Sequence, residues 1–482
     1  MDEQNMFYIK ILSPVHIGCD EVYEPAGFIV DEQAGTLVAF DPLDFFRSLD
    51  AKTKENYSSI CGRGNIESIL ELYKFMKGKH FTGHAVDVCR GLMAQYQKTL
   101  RIPLGDRRKI QQELNNFSIS RTAFNPITQK PYLPGSALKG AFRTAYLNHL
   151  AKNMTVTVVD RRDKNPANAL EKALLEYQSL EKDPFRLMKI SDFHPVGPYR
   201  TKIIYAVNAK KIPSKFPARG PFQILEVIQP GAVFAGSIQV LEPLARDAIK
   251  TPLSAEKVFE GARVFYTKEK KREDIELKAA DLPISQTDGD GGICPLRIGR
   301  HSGAESLTVE GHRHIKIMKK RGEKPAYSDK ATTFWLASET PDSKTSNRLE
   351  PFGWVSLGPM TQTLKDELEA RAAEQENIKE SYDSKNVSKP DTVEKSVAPV
   401  KDIEEIWSDA TVSYDAGGAG KIVAQGKTQA VLQGTGNRDN LKNAVTEALH
   451  KNVFEKKKPV KARVTVRKAG NSWEIVKVEP AA

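Results

Sequence analysis

Cysteine is scarce in this chain of 482 residues. The four present, Cys19, Cys61, Cys89 and Cys294, never form a CxxC pair, so neither a disulfide framework nor a cysteine-clamped zinc site is expected. No uncharged apolar run reaches the roughly 18 residues a membrane helix needs. The opening Met-Asp-Glu-Gln-Asn has neither the basic nor the apolar region of a signal peptide. These absences lead to the expectation of a reducing, cytoplasmic setting and no membrane partner. The Gly-x4-Gly-Lys-Ser/Thr spacing of a Walker loop is also missing.

Apolar residues make up 40% of the chain, enough for ordinary cores, and its length suits two or three domains. The net charge is +11, which favours a polyanionic partner. It is unevenly spread: +10 over residues 1–360, −3 over 361–400 and +4 over 401–482.

The stretch 131–150 is the most informative. Pro134-Gly135 reads as a turn and Ser136 as the N-cap or a first-turn residue of a helix. Leu138, Phe142, Ala145, Tyr146 and His149 recur at helical spacing and predict one buried stripe. Lys139 and Arg143 lie one turn apart beside the helix start, an arrangement suited to a phosphate. By itself the stretch also fits an amphipathic helix with solvated cations.

Elsewhere, residues 6–12 read as a strand, 27–40 as a hairpin turning at Asp31–Gly35, and Asp41-Pro42 as a helix start. Residues 65–76 and 84–98 read as helices, 184–207 as two strands, and 222–228 with 232–242 as a strand pair around Pro230-Gly231. A charged insertion at 160–183, a Gly-rich tract at 288–303 and late strands at 335–338 and 351–357 follow. Helices and strands interleave through hairpins, which predicts an α+β fold. Residues 361–400 read as a short helix and a linker, and 401–482 as a small β-rich accessory domain.

Three blocks stand out together: Ser13-Pro-Val-His-Ile-Gly18, Tyr132-Leu-Pro-Gly-Ser-Ala-Leu-Lys-Gly-Ala-Phe-Arg143, and Leu296-Arg-Ile-Gly-Arg-His-Ser-Gly303 with Phe352-Gly-Trp-Val355. In order and wording they resemble the RAMP superfamily of CRISPR-associated proteins, most closely the Csm-type subunit near the 3′ end of the guide in type III-A effectors. The resemblance spans about residues 1–357. It implies two ferredoxin-like (RRM-like) domains with Gly-rich loops, at 1–205 and 206–360, and crRNA bound through its backbone. The RNA-binding residues expected are His16, Gly135, Ser136, Lys139, Arg143, Arg297, Gly299, Arg300, His301 and Gly303. The glycines allow close backbone approach and the cations supply donors. The RNP1 pattern of an RRM is absent, so phosphate contact is expected rather than base stacking on the sheet.

Expected partners are crRNA, a backbone RAMP subunit and a small helical subunit, with target RNA and a recruited nuclease as further candidates. No cofactor and no metal are expected: His312-Arg-His314 and His80-x3-His84 with Cys89 lack four well-spaced zinc ligands, and Asp20 and Asp31 lack a paired acidic motif. No catalytic residue is assigned. The rival readings are a metal-free crRNA-processing endoribonuclease using His16 as acid or base, and a protein scaffold with little RNA contact.

Overall fold

A computed structural model describes residues 5–154, 165–214, 218, 220–245, 249–284, 294–319, 322–343, 348–371, 373, 404–415, 420–426, 428–433, 439–456, 458–469 and 472–481. The chain divides into two compact units, Met1–Asn386 and Val387–Ala482. Within them, Gly289, Gly291, Gly292 and most of the 361–400 segment lie outside the described residues, although 362–371 are helical.

The first unit opens with β1 (Met6–Ile11), β2 (Gly18–Val22), β3 (Phe28–Asp31) and β4 (Thr36–Ala39). Next come α1 (Pro42–Ser48), α2 (Ala51–Gly62), α3 (Ile66–Met76), β5 (His84–Val88), α4 (Arg90–Leu100), α5 (Arg107–Leu114) and β6 (Ile119–Thr122). The middle holds α6 (Gly135–Asn153), α7 (Pro166–Leu174), β7 (Met188–Ile190), β8 (His194–Pro195), β9 (Thr201–Lys210), β10 (Gln223–Ile228) and β11 (Val233–Val240). It closes with α8 (Ala255–Ala279), β12 (Cys294–Arg297), β13 (Ile315–Ile317), β14 (Ala326–Ser328), β15 (Thr333–Ser338), β16 (Leu349–Pro351) and β17 (Trp354–Pro359).

Two sheets carry this unit. One runs β12-β17-β1-β11-β7, with β8 also on β11; the other runs β2-β6-β10-β9-β5-β4-β3, with β15 on β9 and β16 on β15. The α+β expectation holds, but three local expectations are corrected. Residues 84–88 form a strand, not helix: His-Ala-Val-Asp-Val pairs with β4 and β9, and the helix begins only at Arg90. The strands flanking Pro230-Gly231 do not pair with each other. β10 joins β9 and β11 joins β1, so this turn passes the chain between sheets. A boundary between 205 and 206 falls inside β9, whose ten residues serve β5 at one end and β15 at the other.

The first sheet packs under α6 and α8. The expected stripe on α6 is buried at Leu138, Phe142, Ala145 and Tyr146, and His149 is half-buried beside Gly261 of α8. Tyr266 of α8 donates its hydroxyl to the Ala141 carbonyl at 3.1 Å. The second sheet has its own core, built on Tyr205, Leu225, Val227 and Phe352.

The second unit consists of β18 (Glu404–Asp415), β19 (Lys421–Gln425), β20 (Gln429–Gln433), α9 (Asp439–Ala444), α10 (Glu447–His450), β21 (Val460–Ala469) and β22 (Ser472–Pro480). Its strands close into a barrel in the order β18-β19-β20-β22-β21. β20 and β22 run parallel, and the helical segment joins β20 to β21. That is the topology of a five-stranded OB-fold barrel. The long β18 reaches both neighbours because a bulge between Trp407 and Ala410 bends it. Ala410, Ala424, Ala430 and Ala462 leave the narrow interior room for Val412, Ile422 and Val464.

Candidate nucleic-acid interface

Block one crosses from the first sheet to the second and is pinned on both sides. Ser13 Oγ accepts from the Trp354 amide at 2.9 Å, and Val15 exchanges backbone bonds with Ile228. The Ile17 amide donates to Thr122 Oγ1 at 3.1 Å. Block three closes over it. The Arg300 amide donates to the His16 carbonyl at 2.9 Å, and Gly353 donates to the Pro14 carbonyl. Gly299, at φ +82°, permits this approach: a Cβ there would stand 2.5 Å from the His16 carbonyl oxygen. Val15, Ile17, Leu133, Leu138, Phe142, Leu296, Ile298 and Trp354 share one core cluster, so all three blocks meet around it.

His16 is fully buried, and its Nδ1 lies 2.7 Å from the Glu226 carbonyl oxygen. A carbonyl only accepts, so Nδ1 carries the proton and Nε2 is left as a buried lone pair without a partner. Burial drives the His16 pKa down to about 4. His301 sits at φ +64° with its ring 4.5 Å from Trp335 and 5.2 Å from Phe352. Its Nε2 is also buried without a partner. Burial, with smaller contributions from His16 and Arg300, lowers its pKa to about 4.

The other expected residues divide. Arg297 is only 2% exposed: it pairs with Glu273 at 2.6 Å, donates to the Phe352 carbonyl and lies over the Trp354 ring. Arg143 is bound to Glu171 and Asp183 and stacks on Phe185. Both guanidiniums are therefore engaged within the protein, Arg297 buried and Arg143 half-buried, because the fold brings carboxylates that lie far off in sequence. Gly303, at φ +77°, turns the loop beside Arg297. Arg300 is exposed, its side chain lying against Gly18.

At the start of α6, Gly135 is buried, since a Cβ would collide with the Ile190 carbonyl oxygen. Its amide donates to Asp192 Oδ1 at 2.9 Å, so a side-chain carboxylate already serves this helix end. Ser136 is exposed in the first turn. Lys139 donates to the Met188 carbonyl at 2.9 Å. Burial lowers the Lys139 pKa, and the positive charges of Lys189, Arg143 and Arg186 lower it further against the opposing pull of Asp183. Arg186 and Lys189 are exposed. With Arg143 held by Glu171 and Asp183, Lys139, Arg186 and Lys189 form a small cationic patch that an anion would relieve. Sequence reasoning missed Arg186 and Lys189, although Lys189 lies within, and Arg186 just before, a strand-like run that the fold lays beside α6.

Among the described residues, no group of three or more His, Cys, Asp or Glu is placed to hold a metal, and no helix is long and apolar enough to cross a membrane.

The CRISPR system Cms protein Csm5 of Methanocaldococcus jannaschii is 25% identical over 193 residues, covering 38% of this chain and 41% of that protein. The chain thus spans well under half the length of this curated relative. In fold, it resembles a chain from the cryo-EM structure of a Csm–crRNA–target RNA ternary complex of a type III-A CRISPR–Cas system. There the TM-score is 0.50 at 20% identity, covering 73% of this chain and all of that one. The crystal structure of T. onnurineus Csm5 gives a TM-score of 0.43 at 17% identity, covering 72% and 99%. Residues 8–293 match the RAMP superfamily, more than half of the chain, and the chain belongs to that family.

Proposed function

We propose that this protein is a crRNA-binding subunit that caps the 3′ end of the guide in a type III-A CRISPR effector, contributing to assembly and crRNA maturation in antiviral defence. Its two sheets are read as the two ferredoxin-like (RRM-like) halves. Its partners are crRNA, a backbone RAMP subunit and a small helical subunit, with target RNA and a recruited nuclease at the same assembly. The observation that carries the reading is the cationic patch of Lys139, Arg186 and Lys189 beside the exposed Ser136. Arg300 offers a further exposed cation on the loop held to His16. Such groups hold a strand by its phosphates and read little sequence.

The test is filter binding of single-stranded RNA to the full chain and to the variant Lys139→Ala/Arg186→Ala/Lys189→Ala. Each lost phosphate contact lowers the salt slope by roughly 0.7 for a single strand. Affinity at low salt should fall at least tenfold, and an unchanged affinity and slope would reject the patch.

The engagement of Arg143 and Arg297 in intramolecular ion pairs favours a second reading, a scaffold held mainly by protein contacts. Assembly with neighbouring subunits that survives complete RNase digestion would select it. The endoribonuclease reading loses ground on one fact: His16 is 0% exposed, which keeps its ring from a strand on the surface.

A further inference from the structure

A cleft of about 560 Å³ opens between α8 and the β13–β14 hairpin, apart from the residues above. That volume suits a small polar ligand. On the hairpin side, His314 and Tyr327 lie with ring centroids 4.0 Å apart and planes within 3°. Tyr327 is 52% exposed and His314 is exposed as well. Two flat rings stacked in solvent form a platform that a third ring extends. On the helix side, Lys268 holds the Glu310 carboxylate at 2.6 Å, both partners well exposed. Exposed pairs of this kind contribute little and exchange readily. Lys330 lines the cleft and is exposed. Behind them Arg313, with its side chain 7% exposed, bonds Glu269, and its Nε–H has no acceptor.

Cations, carboxylates and a ring platform in one cleft fit the three parts of a ribonucleotide. Lysines suit its phosphate, a carboxylate suits the ribose hydroxyls, and the rings suit the base. A polyanion alone would find Glu310 and Asp329 repulsive, and an apolar ligand would find too much charge. We infer that this cleft binds one ribonucleotide, its base stacked on Tyr327, its phosphate at Lys330 and Lys268, and its ribose beside Glu310. The ligand class follows the RNA-binding reading, but the site is separate from the patch at α6.

The experiment uses the full chain and a short single-stranded RNA carrying 2-aminopurine, whose fluorescence falls on stacking. Tyr327→Ala should abolish the quenching at saturation and weaken binding roughly tenfold, the typical contribution of one stacked base. Tyr327→Phe, which keeps the ring, should retain both. The triple variant at Lys139, Arg186 and Lys189 should weaken binding yet leave quenching at saturation intact, so the two proposals fail separately. Adenosine monophosphate that restores fluorescence in competition would identify a free nucleotide as ligand; quenched RNA that resists it would identify a unit of the strand. Quenching unchanged in Tyr327→Ala, or equal quenching of the corresponding DNA, would overturn the assignment.

Discussion

At the scale of single residues, the unusual groups are the two histidines. Each has a pKa near 4 in the folded protein, against 6.5 in an unfolded chain. As pH falls below about 6.5, the unfolded chain takes up protons that the folded chain refuses, so stability drops with falling pH until about pH 4. The loss is on the order of 3 kcal/mol for each histidine at the bottom of that window. Urea denaturation at pH 7 and pH 4.5 checks it. The double variant His16→Asn/His301→Asn should flatten the slope over this window, since Asn keeps a donor for the Glu226 carbonyl and tolerates the left-handed backbone at 301. A slope as steep as that of the unaltered protein would assign the acid sensitivity to other groups. Gly299 is a residue-scale requirement of another kind, because both its φ and the His16 carbonyl exclude a side chain.

At the scale of elements, α8 matters most and was the least legible. Its 25 residues include Glu269, Lys270 and Glu273, all buried. Sequence analysis placed no helix there, because ionic residues interrupt the apolar period. Capping signs were present, with Ser254 accepting from the Lys257 amide and Glu256 in the first turn. The charges are buried because β12, β17, the loop after β12 and the helix itself bring partners: Glu273 receives Arg297 and the Trp354 indole N–H at 2.7 Å, and Glu269 receives Arg272 and Arg313. Glu273→Ala would leave Arg297 buried and uncompensated, a loss of about 3–5 kcal/mol. Chemical denaturation of the first unit should show it, and a loss under about 1 kcal/mol would mean that water reaches the guanidinium. By contrast the start of α1 was readable to the residue: Asp41 caps it, accepting from the Leu43 amide at 2.7 Å, with Pro42 in the first turn. Residues 84–88 misled because a five-residue strand and the helix after it carry similar apolar density.

For the whole molecule, the net charge of +11 is not a free reservoir for RNA. Many cations are tied into ion pairs, among them Lys202 with Glu339, Lys211 with Glu305 and Arg272 with Glu276. RNA affinity should therefore show a salt slope set by a few exposed patches, nearer −3 than −10 at roughly 0.7 per phosphate on a single strand. Titration between 50 and 300 mM salt measures it, and a slope steeper than about −6 would require a far larger basic surface. The barrel of the second unit has a core drawn entirely from residues 407–478, the size of module that packs by itself.

The sequence alone determined the α+β class and the small β-rich end domain. These rest on turn chemistry and alternation, which are local properties of the chain. Tertiary structure alone decided which cations are available. A guanidinium in a motif looks the same whether a distant carboxylate awaits it or not, so Arg143 and Arg297 went inward while Arg186 and Lys189 remained outside. It also decided that the Pro230-Gly231 turn joins two sheets and that the last five strands close into a barrel. These pairings depend on contacts between segments far apart in the chain, and no local pattern encodes them.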